Sequence, residues 1–148
     1  MKQLLIFIFL FLSSVCRGQL SITRISGTIF DLDVYTVIGV DTAKARTFVN
    51  YMFKDSTACI TENFENRGTT FYKPGYPIIM WLPTTIKNIE ELSITNHEIF
   101  HVVSSLLNWV GIKLSNETEE LYAYTYQYYS KIIYTIINKE DENTKNRP

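Results

Sequence analysis

Cysteine is almost missing from this chain: Cys16 and Cys59 are the only two among 148 residues. A disulfide framework is therefore excluded as the source of stability, and the fold must rest on an apolar core. Histidine is equally scarce, with His97 and His101 the whole supply. Four prolines and six glycines are too few for a collagen-like or low-complexity chain, and no internal repeat occurs. Lysine and arginine form no cluster and the formal charge is −1, which argues against a nucleic-acid partner held by phosphate neutralisation. The one long apolar run, Leu4 to Leu12, falls well short of the roughly 20 residues of a membrane-spanning helix.

What is present suits a single small domain, since 46% of the residues are hydrophobic and 14% aromatic. Lys2, the apolar run after it and the small residues Ser13 and Ser14 read as a secretory signal over residues 1–18, removed after Gly18. The mature chain is then secreted or periplasmic. Cys16 raises a lipoprotein alternative, which Val15 disfavours because it is larger than the residue usual before an acylated cysteine.

Residues 19–138 read as an α+β domain. The runs ITRISGTIF and VYTVIGV, parted by Asp31-Leu32-Asp33, predict paired strands. Asp41 or Thr42 caps a helix whose Ala45, Phe48, Val49, Met52 and Phe53 share one face that packs on the sheet. Short β-prone pieces follow between Thr57 and Tyr72, and Pro74-Gly75 marks a tight turn. Ile78 to Leu82 lies between Pro77 and Pro83, which predicts an edge strand because proline has no amide hydrogen to donate. Two long helices come next, about Asn88 to Val110 with Gly111 as the stop, then Glu117 to Asn138. Asn116 and Glu119 have capping-box spacing, a plainer reading of Asn116-Glu117-Thr118 than a glycosylation sequon. The charged residues 139–148 are expected to form a flexible tail.

The first long helix contains His97-Glu98-Ile99-Phe100-His101. Histidines four apart stand one turn from each other on one face, where two imidazoles can grip one zinc ion, and the intervening glutamate is placed to act as a base. A plainer alternative is two ordinary packed or solvated histidines. On a helical wheel Ile89, Leu92, Ile99, Phe100, Val103, Leu106, Leu107 and Val110 gather on one arc as the expected core face. His97 and His101 fall off that arc with Ser93, Ser104 and Asn108, a polar stripe of the kind that lines a cleft.

Zinc needs a third protein ligand, and no further histidine exists to supply it. Leu107 occupies the place where a metzincin-type site has its third histidine. Glu117, Glu119 and Glu120 cluster at the start of the second long helix. His101 stands about 15 Å from the end of its helix and Glu120 about 6 Å into the next. A link of four or five extended residues spans about 13 to 16 Å and can cover the difference. Glu119 points into the apolar face of Tyr122, Tyr126, Tyr129, Ile133, Ile136 and Ile137, whereas Glu120 lies at its margin, so Glu120 is favoured and Glu119 is second. The run Tyr122 to Tyr129 falls mainly at helical core spacing; Tyr124, one turn beyond Glu120, is a candidate donor to a developing oxyanion.

HEIFH on one helix with a glutamate on the next resembles the gluzincin branch of the zincin metallopeptidases, over about residues 77–128. More closely, IIMWLP, HEIFH, Gly111-Ile112 and Glu120-Leu121-Tyr122-Ala123-Tyr124 look like small metallopeptidase-like proteins of bacteria and their phages. The resemblance implies a small zincin-like domain with Zn2+ held by His97, His101 and Glu120, and Glu98 as catalytic base. It also implies an edge strand above the metal helix, here Ile78 to Leu82, on which an extended peptide or protein substrate pairs. Trp81 then lines either the cleft or the core. Longer members have a further domain as the other cleft wall and an acidic residue where this chain has Tyr124. The expected activity is hydrolysis of a peptide or other amide bond. Its rivals are a non-catalytic zinc-binding or interaction protein and an amidase or endopeptidase acting on peptidoglycan.

Overall fold

A computed structural model describes residues 20–26, 30–55 and 67–146. The expected signal segment, Cys16, Cys59 and most of the β-prone stretch after Thr57 lie outside those residues. The fold is α+β, with element order β1 (Ser21–Ile25), β2 (Val34–Ile38), α1 (Thr42–Phe53), β3 (Thr69–Phe71), β4 (Ile78–Leu82), α2 (Ile89–Trp109) and α3 (Glu119–Lys145). No helix among the described residues is long and apolar enough to cross a membrane.

The four strands form one mixed sheet in the order β1-β2-β4-β3. β1 and β2 pair antiparallel, as their adjacent β-rich runs predict, and β4 is parallel to β2 and antiparallel to β3. The expectation of an edge strand at Ile78–Leu82 is therefore corrected: β4 is central and β3 takes the edge. Every residue of β4 is buried, as a continuous apolar run on a strand covered on both faces should be. Pro77 and Pro83 lie just outside the strand and are never asked to donate within it. Lys73-Pro74-Gly75-Tyr76 makes the expected turn between β3 and β4, closed by Tyr76 N–H to the Lys73 carbonyl at 3.1 Å with Gly75 at φ +82°.

Alternation along the strands divides the core in two. Val37, Phe71, Ile79 and Trp81 pack against Ala45, Val49 and Phe53 of α1 on one face. Val34, Ile38, Ile78, Met80 and Leu82 pack on the other face against Ile99, Val102, Val103, Leu106 and Leu107 of α2 and Tyr122, Tyr129, Ile133 and Ile137 of α3. Trp81 is thus core, on the α1 side of the sheet, where its indole N–H donates to the Gly39 carbonyl at 3.0 Å.

The helix ends follow the chemistry of their side chains, though not always at the expected residues. Asp41 caps α1, its carboxylate accepting from Lys44 N–H at 2.9 Å. Asn88 caps α2 by accepting from Glu91 N–H at 2.9 Å, while the Glu91 carboxylate accepts from Lys87 N–H at 2.6 Å. Asn88 and Glu91 thus cap the start of α2 together, Glu91 through the amide just before Asn88, and the capping box expected at Asn116/Glu119 does not form. Thr118 is the N-cap residue of α3, and its hydroxyl instead ties the preceding loop by donating to the Lys113 carbonyl at 2.6 Å. The tail expected over 139–148 is corrected as well, because α3 continues past Asn138 to Lys145. Its last turns are anchored where Thr85 donates to Asp141 at 3.0 Å and Lys145 pairs with the same carboxylate.

Candidate metal centre

The inner face of α2 carries Thr95, Glu98, Ile99, Val102, Val103, Leu106 and Leu107. This narrows the expected core arc: Ile89, Phe100 and Val110 are exposed, at 79%, 44% and 43%. Ile89 is the first residue of α2 and Val110 its C-cap, so both stand at the helix ends. His97 and His101 lie on the opposite side of α2 from Leu106 and are both exposed.

The two imidazoles converge. Their Nε2 atoms are 3.0 Å apart, with ring centroids 4.5 Å apart and planes at 86°. An ion bound tetrahedrally at about 2.0–2.1 Å from each nitrogen separates them by about 3.3 Å, so this pair needs only a small side-chain adjustment to chelate one. The same distance suits one proton shared between two neutral rings. Donor type and geometry therefore fit two of the ligands of a zinc site.

The third ligand is less prepared. Among the described residues no group of three His, Cys, Asp or Glu side chains is close enough to hold a metal. Glu119 and Glu120 form the first turn of α3 and Glu117 precedes it, all three exposed at the end of the α2–α3 hairpin. The register of the hairpin is set further along, where the hydroxyls of Tyr126 and Tyr134 both donate to Asn96 Oδ1, the former at 2.8 Å. Burial, more than the neighbouring Tyr126, pushes the Tyr134 phenol up and keeps it a donor. The structure thus brings His97 and His101 together and leaves Glu120 and Glu119 apart from them. Tyr124 is 67% exposed.

Glu98 lies on the sheet side of the same turn. At 5% exposure it is the only buried acidic side chain among the described residues. The Thr70 hydroxyl, on edge strand β3, is 2.8 Å from its Oε2 and 3.1 Å from its backbone carbonyl. Gly68, just before β3, approaches so closely that a Cβ there would meet Glu98 Cγ at 2.8 Å. Neither Gly68 nor Thr70 carries a signal in the sequence: they belong to a three-residue strand and its approach, too short for periodicity to mark, and meet Glu98 only through tertiary packing. The Asn96 cluster is likewise unmarked, although Tyr126 is recognisable as a residue of the apolar face.

No protein-family model matches this chain, and no curated protein or solved structure is significantly similar to it. An apolar groove among the described residues, along α3 at Tyr128, Lys131, Ile132, Thr135 and Ile136, includes none of the candidate ligands. Chemistry, not concavity, singles out the histidine pair.

Proposed function

We propose that this chain is an exported, zinc-dependent, metallopeptidase-like hydrolase acting on a peptide or other amide bond. The observation that carries the reading is the convergence of the two Nε2 atoms at 3.0 Å, one turn apart, with the buried carboxylate of Glu98 between them in sequence. His97 and His101 supply two ligands, and Glu120, with Glu119 second, is the proposed third. Zinc, when bound, supplies a Lewis acid that polarises the substrate carbonyl and makes water a better nucleophile.

The chain's own residues do the rest. Glu98 accepts a proton from the attacking water and returns it to the departing amine. Among the described residues β3 pairs with β4 alone, and its other edge is the proposed place for an extended substrate to pair. Tyr124 is the proposed donor to the developing oxyanion, and its exposure leaves the hydroxyl free to swing.

A test is digestion of an internally quenched peptide mixture by the zinc-loaded chain and by Glu98→Gln. The expected outcome is cleavage that falls by at least about a hundredfold in the variant while zinc content is unchanged. Cleavage unaffected by the substitution contradicts the assignment of Glu98. A second reading, a non-catalytic metal-binding protein, is favoured by the lack of a third ligand grouped with the histidines among the described residues. It predicts zinc binding with no cleavage of the peptide mixture or of peptidoglycan.

A further inference from the structure

We propose that Thr70 is the positioning residue of Glu98: its hydroxyl, presented by the edge strand, fixes one carboxylate oxygen and leaves the other to handle the proton. This rests on the hydrolase reading for its consequence, though not for its geometry. Two acceptors face the Thr70 oxygen, Glu98 Oε2 at 2.8 Å and the Glu98 carbonyl at 3.1 Å. A threonine hydroxyl has one proton to give. The side-chain oxygen is the nearer acceptor, so the hydroxyl donates to it first. Oε1 is left without a donor among the described residues.

The carbon stem of Glu98 is held from the same direction. A Cβ at position 68 would lie 2.8 Å from Glu98 Cγ and 3.0 Å from both Ile94 Cγ2 and Leu82 Cδ2, so only glycine lets the chain enter β3 in contact with the glutamate. Thr70 stands opposite Met80, whose side chain belongs to the core on the α2 side of the sheet. Side chains directly opposite each other share a sheet face, so β3 delivers its Thr70 hydroxyl toward α2 while Phe71 packs toward α1. The strand at the edge of the described sheet is therefore the strand that sets the orientation of the proposed base. A base works only within hydrogen-bond reach of the proton it takes, and a displacement of about 1 Å can cost about a hundredfold in rate.

The test compares Thr70→Val, Thr70→Ser and Glu98→Gln in the full chain. The side-chain carboxyl carbon of Glu98, assigned by its disappearance in Glu98→Gln, is followed by 13C NMR in the metal-free protein. Peptide hydrolysis is measured separately on the zinc-loaded forms. Expected is a displaced Glu98 resonance in Thr70→Val and a near-native one in Thr70→Ser. Expected too is a kcat lowered about ten- to hundredfold in Thr70→Val, at unchanged KM and zinc content, and rescued by serine. Thr70→Ala, which removes the hydroxyl without pressing a methyl group on the carboxylate, replaces valine if that variant does not fold. A Glu98 resonance indifferent to loss of the hydroxyl, or a serine variant as impaired as valine, overturns the proposal. If the native chain cleaves nothing, the hydrolase reading fails, while the resonance still decides whether Thr70 holds Glu98.

Discussion

At the scale of single residues, position on the sheet separates what Trp81 and Glu98 do. Both are buried, but Trp81 faces α1 and Glu98 faces β3 from α2, so the sheet stands between them. Trp81 is ambiguous in the sequence, because a strand covered on both faces shows no alternation to tell cleft from core. At 1% exposure and with its indole N–H bonded to Gly39, it is structural. Trp81→Ala should therefore cost about 3–5 kcal/mol in urea unfolding, yet leave zinc affinity within about twofold where the protein remains folded. A large loss of affinity in folded Trp81→Ala would place the residue functionally close to the histidines.

At the scale of elements, the helices are legible where periodicity and caps agree, and the misreadings have physical causes. α1 follows its apolar face and its Asp41 cap. The bounds of α2 follow Asn88 at one end and Gly111, at φ +80°, just beyond the other. The capping-box spacing stands at the start of both long helices, at Asn88/Glu91 and Asn116/Glu119, and a loop tied by Thr118 accompanies the loss of the second. Asn88→Ala should therefore destabilise the protein by about 1 kcal/mol, and Asn116→Ala by much less, in matched urea titrations. The end of α3 is misread from sequence because Lys139 to Lys145 has no apolar period, although Lys and Glu are good helix formers and Asp141 ties the turn to Thr85.

That tie makes the end of α3 sensitive to acid. Hydrogen bonds from Lys145 and then from Thr85 hold the Asp141 carboxyl below its ordinary value. A carboxyl lowered by folding contributes stability that is present above its unfolded value and is lost as pH falls through the lower folded one. Cα chemical shifts of residues 141–146 should accordingly move toward coil values on acidification below the ordinary carboxylate range. The shifts of α1 beyond its own Asp41-capped first turn should stay in place. Asp141→Asn should show the frayed shifts already at neutral pH.

At the scale of the whole molecule, the α+β class and the order of its elements are readable, whereas the sheet order is not. Prolines on both sides of Ile78–Leu82 suggest an edge, but a strand pairs through its own amides, and those of β4 are intact on both sides. The histidine pair is legible because its spacing is local to one helix. The proposed third ligand is not, because its place depends on how far α3 slides along α2, a register to which contacts such as Tyr126 and Tyr134 to Asn96 contribute. The central proposal is that His97 and His101, joined by Glu120, hold one zinc ion. Zinc content of the purified full chain, measured by inductively coupled plasma mass spectrometry after dialysis, tests it most directly. The account predicts one zinc per chain, lost in His97→Ala and His101→Ala and weakened at least about tenfold in Glu120→Gln but not in Glu119→Gln. A native chain that retains no more zinc than its His97→Ala variant would contradict it.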